Sequence, residues 1–76
     1  MKNSKEMSEK TLREYLIRML RASGMSMETT EIILKFLYKD TKKMSAMMDW
    51  LGKHIEEDLS DEQALAEMAR LLQSDL

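Results

Sequence analysis

Cysteine, proline and valine are absent from this 76-residue sequence, glycine occurs only twice, and there is a single tryptophan. The lack of cysteine excludes a disulfide framework, a thiolate zinc cluster and a cysteine nucleophile. Nothing in the composition points to an oxidising compartment, so a cytoplasmic location is expected. Long hydrophobic runs are missing as well. The longest, Ile32-Ile33-Leu34, falls far short of the ~20 apolar residues that cross a bilayer, so no membrane span is expected. The N-terminus, Met1-Lys2-Asn3-Ser4-Lys5-Glu6, does not lead into the apolar stretch of a signal peptide, which argues against export.

What remains is rich in Leu, Met, Lys, Glu and Ala, with only four Ile and four Thr as β-branched residues. Helix is therefore the low-cost backbone throughout. A chain this short leaves little room for a deep cavity beside a core. The formal net charge of -2 argues against nucleic acid as the main partner, because phosphate binding needs a concentrated positive surface. That sum hides an asymmetry. Residues 1–21 carry more Lys and Arg than Glu, whereas acids dominate residues 53–76. Either the first and last helices are neighbours in one bundle, or the opposite charges serve a charge-selected partner or head-to-tail self-association.

Punctuation and period predict an all-α, compact bundle of four short helices at about 12–23, 27–39, 42–58 and 61–73, with a frayed segment over 1–10, the alternative being a first helix that extends back to Met7, and a single helical domain over 11–76. Thr11-Leu12-Arg13-Glu14 fits a capping box for the first helix, with Leu12, Tyr15, Leu16, Met19 and Leu20 at helical spacing. Gly24 suits the left-handed residue that ends a helix, and Ser26 can cap the next. In the second helix Glu28, Glu31, Lys35 and Lys39 form one narrow polar stripe. Ile32, Ile33, Leu34, Phe36, Leu37 and Tyr38 then cover a wide arc, which predicts a central helix with Leu37 deeply buried. Asp40 or Thr41 caps the third helix, where Met44, Met47, Met48, Leu51, Ile55 and Leu59 keep one stripe through Gly52. The alternative is a helix that ends at Leu51 with Gly52 as its cap. Ser60-Asp61-Glu62-Gln63 is the clearest helix start in the chain, Leu59 can pack on Ala64 as a hydrophobic staple, and Leu65, Met68, Ala69 and Leu72 continue the apolar stripe.

Chemistry-bearing constellations are sparse. His54, Glu57 and Asp58 lie at helical spacing, but a dedicated metal site needs further ligands, and a solvated face is the expected reading. No catalytic, cofactor-binding or metal residue is assigned. No glycine-rich phosphate loop occurs, and a single histidine has no defined nucleophile to serve, so the chain is not expected to be an enzyme. Nine methionines, among them Met25, Met27, Met44, Met47 and Met48, suit either core gap-filling or an adaptable groove for a helix. Trp50 projects from the polar side of a continuous third helix. It is therefore either covered by the N-terminal segment or the fourth helix, or an interface anchor, with Ile17, set among Arg13, Glu14, Arg18 and Arg21, as a second apolar candidate.

The residues Gly24-Met25, Ile33-Leu34 and Ala46-Met47-Met48-Asp49-Trp50-Leu51 together resemble the ubiquitin-associated domain pattern over about residues 13–52. Ser23 stands where that family favours Met, and Met25 replaces its usual aromatic. The resemblance implies a three-helix core with a C-terminal helix added, and a partner-binding surface around Gly24, Met25, Trp50 and Leu51, joined by Ile17 from the residue-level reading. The chain is also similar in style to small bacterial proteins of four short helices, and a bacterial source removes ubiquitin as a partner. The expected function is a small non-enzymatic protein-interaction module, binding another protein or itself, without cofactor or membrane. The alternative is a small DNA-associated regulator with a helix-turn-helix-like unit at 12–39, opposed by the acids Glu28 and Glu31 on the helix that would enter the groove.

Overall fold

Side-chain caps set the helix starts. The computed structural model describes residues 8–74 and contains four helices, α1 (Glu9–Ala22), α2 (Met27–Phe36), α3 (Thr41–Lys53) and α4 (Asp61–Gln73), with no strand among the described residues. Ser26 and Asp40 each accept the backbone N–H three residues on, from Thr29 and Lys43. Ser60 and Gln63 form the reciprocal capping box expected of them. The first helix begins earlier than the Thr11 capping box predicts. Ser8 Oγ accepts the Thr11 N–H at 3.2 Å, and Glu9 pairs with Arg13 at 3.1 Å. Glu9 and Lys10, expected within a frayed segment, are thus helical, while residues 1–7 of that segment lie outside the described residues.

α1 ends as the position of Gly24 requires. Gly24 has φ 92°, its N–H reaches the Arg21 carbonyl, and the Met25 N–H reaches the Leu20 carbonyl at 3.0 Å. This is the paired hydrogen-bond pattern of a Schellman motif, in which the residue after the glycine packs back on the helix. Met25 and Leu20 accordingly share the buried cluster.

The other two predicted ends move inward. α2 stops at Phe36 rather than residue 39, because Lys39 turns left-handed at φ 64° and lets Asp40 start the next helix. α3 runs through Gly52 and stops at Lys53, with His54 as its C-cap. Neither a helix to residue 58 nor a Gly52 cap describes it. The run Glu56-Glu57-Asp58 would place three carboxylates on the negative end of the helix dipole, and the chain turns out of the helix before reaching it. Ile55 is consequently exposed instead of continuing the stripe, whereas Leu59 re-enters the core from the turn.

The core is built from Leu16 and Leu20 of α1, Ile33 of α2 with Leu37 after it, Met44, Met47 and Leu51 of α3, and Ala64, Met68 and Leu71 of α4. Leu37 is fully buried, as expected. The wide apolar arc of α2 is not: Phe36 and Tyr38 are each 56% exposed. Tyr15 on α1 also faces outward. On α4 the buried face is Ala64, Glu67, Met68 and Leu71, with Leu72 and Ala69 outside, a rotation of the expected stripe. Asp61 Oδ1 takes the Ser26 N–H at 3.2 Å across 35 residues of sequence, fixing how α4 sits on α2.

Packing is cyclic. α1 lies chiefly on α3 and also on α2, and α4 lies on α3 and α2, whereas α1 does not pack on α4 and α2 does not pack on α3. The expectation that charge makes the first and last helices neighbours is therefore not met. Exposed ion pairs contribute roughly 0–1 kcal/mol each, while each buried Leu or Met contributes roughly 1.5–3 kcal/mol, so the apolar faces decide the arrangement. Nor is α2 central, since it has two neighbours like every other helix.

Candidate functional site

The sequence-predicted surface residues separate into two groups. Met25 and Leu51 are buried in the core, Met25 because the Schellman turn folds it back on Leu20. Gly24 is exposed at that turn, and Ile17 and Trp50 are half-buried on α1 and α3. Trp50 lies against the core cluster and is flanked by His54, with ring centroids 5.1 Å apart. His54 Nδ1 in turn meets Glu57 Oε2 at 2.9 Å. The core and His54 thus cover part of the tryptophan and leave the rest at the surface. Of the five expected partner-binding positions, Ile17, Gly24 and Trp50 retain surface.

A different surface, at the corner from α2 into α3, combines exposed aromatics with exposed lysines. Phe36 ends α2, and the left-handed turn at Lys39 leaves Tyr38 outside with it. Lys39 Nζ sits 5.3 Å from the Tyr38 ring centroid, a cation over an aromatic face. Lys35 and Lys42 flank the pair and are exposed. Asp40, the one acid in this stretch, is engaged: it caps the Lys43 N–H and pairs with Lys43 Nζ at 3.2 Å. The Lys43 N–H, followed by the lysine charges, holds its carboxyl below the ordinary value of 3.8 despite partial desolvation. The corner exists because α2 stops at Phe36, where the apolar period alone would carry it to residue 39. The signal that could have revealed it is Asp40 itself, since an N-cap is non-helical and the residues before it must turn.

At the other end of α3 the chain is acidic. Glu56, Glu57 and Asp58 are exposed in the turn beside Ile55, which is 55% exposed. α4 follows with Asp61 and Glu62 in its first turn. Asp61 also stands at the N-terminus of α2, where the Ser26 N–H holds its carboxyl below the ordinary range.

A shallow depression of about 150 Å³ on α1 is lined by Thr11, Glu14, Tyr15 and Arg18, with the Arg18 guanidinium carbon 5.9 Å from the Tyr15 ring centroid. Among the described residues, no group of three or more metal-ligating side chains comes together, and no helix is long and apolar enough to cross a membrane. Comparison with protein-family models, with curated proteins and with solved structures finds no match to this chain.

Proposed function

We propose that the chain is a small protein-interaction module that works by surface contact rather than by chemistry. The observation that carries this reading is the α2–α3 corner, where Phe36 and Tyr38, on either side of the buried Leu37, are both exposed, with the exposed Lys35, Lys39 and Lys42 nearby in the chain. Two aromatics held in water lose hydrophobic stabilisation that a partner surface restores, and aromatics with polar groups around them are the usual composition of a contact centre. If the ubiquitin-associated likeness also describes this chain, Gly24, Ile17 and Trp50 form a second contact face, with Met25 and Leu51 supporting it from beneath.

The immobilised chain should retain a specific protein, its own kind included, and the Phe36→Ser, Tyr38→Ser double variant should lose that retention with its helicity intact. Equal retention by the double variant overturns the assignment of the corner. A DNA-associated regulator is the second reading, favoured by the same exposed lysines. It requires a duplex mobility shift that weakens steeply as salt rises. The acids Glu28 and Glu31, exposed on α2, oppose it.

A further inference from the structure

We propose that the partner of the lysine-aromatic corner is the acidic turn after α3 of a second copy of this chain, so that copies associate head to tail. This deepens the interaction-module reading and rests on it. The two surfaces complement each other in both respects that matter. One has Phe36 and Tyr38 flanked by Lys35, Lys39 and Lys42; the other has Ile55 flanked by Glu56, Glu57 and Asp58, and all of these residues are exposed. Among the described residues, none of the three lysines makes an ion pair, and on the acidic side only Glu57 is paired, with His54.

The surfaces cannot meet within one molecule. They lie at opposite ends of α3, whose 13 residues span about 20 Å, more than twice the Debye length of about 8 Å at physiological salt. Neither end neutralises the other, and each is available to a neighbour.

A second observation concerns α3 alone. Lys42 and Lys43 occupy its first turn, which holds no acid, and the three carboxylates follow its C-terminus. Both placements run against the helix dipole, which favours anions at the N-terminal end and cations at the C-terminal end. Asp40 as N-cap and Lys53 in the last turn offset this only in part. The arrangement costs α3 local stability and adds its charges to the separation between the two ends of the molecule. Such a conflict between local preference and actual sequence is expected where function sets the residues. In a head-to-tail pair, Lys42 of one copy, which Asp40 leaves unpaired, faces the costly carboxylates of the next.

Because the two surfaces differ and lie at opposite ends of α3, a head-to-tail contact leaves one of each free, and association continues past two copies. Each surface is small, so association is weak and concentration-dependent. The test is sedimentation of the full chain over a concentration series at low salt and at about 1 M salt, where the Debye length falls to about 3 Å. Three proteins are compared: wild type, a Lys35→Glu, Lys42→Glu variant and a Glu56→Lys, Asp58→Lys variant, each checked for helicity and cooperative melting.

The expected result is a wild-type mass that grows past the dimer at low salt and returns to the monomer at high salt. Each variant should associate at least about tenfold more weakly, as paired like charges now meet. An equimolar mixture of the two variants should recover association, since the unaltered corner of one fits the unaltered turn of the other. A wild type that stays monomeric overturns the inference, as does a mass that stops at the dimer. A monomer that retains a different protein, or an oligonucleotide, also overturns it. The first of these leaves the interaction-module reading standing, and the second replaces it.

Discussion

Two helix junctions in this molecule use the same backbone conformation with different residues. At the α1–α2 junction the left-handed residue is Gly24, at φ 92°; at the α2–α3 junction it is Lys39, at φ 64°. Each junction also sends one neighbouring side chain into the core, Met25 after the glycine and Leu37 before the lysine. Glycine adopts this conformation without steric penalty, whereas a side chain costs roughly 1–2 kcal/mol there. The first junction agrees with its local chemistry and exposes one large apolar side chain, Met27. The second bears strain and displays Phe36, Tyr38 and three lysines. The strained corner is the one to which function is assigned, in keeping with strain persisting where the surroundings hold it in place.

Removing the buried anchor should break the second junction most severely. Leu37→Ala opens a cavity beneath the turn and should cost on the order of 2–5 kcal/mol, a large share of what a domain this size has. A denaturation midpoint near wild type would show that the corner does not depend on its anchor.

The conformational half of the comparison is tested by exchanging the residue types. Gly24→Ala meets no atom within 4 Å of the added Cβ, so its effect is backbone strain alone, about 1–2 kcal/mol of lost stability. Lys39→Gly should do the opposite, gaining about 1 kcal/mol by relieving strain at the same kind of position. Thermal melting of both variants checks the pair, and equal signs would dissolve the comparison. Lys39→Gly also removes a corner lysine, so self-association should weaken while the monomer becomes more stable. A merely structural role for Lys39 would not separate the two.

Gly52 supplies a control of smaller size, being helical, exposed and free of close contacts. Gly52→Ala should therefore stabilise the fold by about 0.5–1 kcal/mol, reduced by its place in the last turn. A destabilised variant would mean that α3 needs a flexible end.

The smallest effect is electrostatic. The carboxyls of Asp40 and Asp61 are both held below their ordinary value of 3.8, by the Lys43 and Ser26 N–H groups respectively. Groups lowered in this way stabilise the fold fully above the ordinary carboxyl value, and that contribution disappears as pH falls through the lowered one. The melting temperature should decline as pH drops below about 4. Asp61→Asn should blunt that decline, because Asp61 ties α4 to α2 over 35 residues. An unchanged acid profile in the variant would show that the tie carries no pH dependence.

Much of this was legible in the residues. The four helices, the Ser26, Asp40 and Ser60 caps and the left-handed Gly24 follow from short-range chemistry, because capping and chain reversal involve atoms within about four residues of one another; Leu37 is buried as its place in the apolar arc predicts, though not because α2 is central. The ends of α2 and α3 were less legible. Apolar period continues past Phe36 and Gly52, but Lys39 adopts a conformation its own side chain disfavours, and three carboxylates oppose extension of α3. Of the candidate surface, Trp50, Ile17 and Gly24 could be picked out as residues, but not the exposure of Phe36 beside Tyr38.

What only the tertiary structure decided is which faces meet. Sequence determined an all-α chain with opposite charge at its two ends. It did not determine that α1 and α4 would lie diagonally, each packed on α2 and α3 instead of on the other. Nor did it determine that α4 would bury Leu71 rather than Leu72. The physical reason is range and size: local rules set the backbone turn by turn, whereas the arrangement of four helices follows from apolar surface buried all at once. That burial outweighs the screened attraction between exposed charges and leaves the opposite charges at the two ends of α3 facing outward.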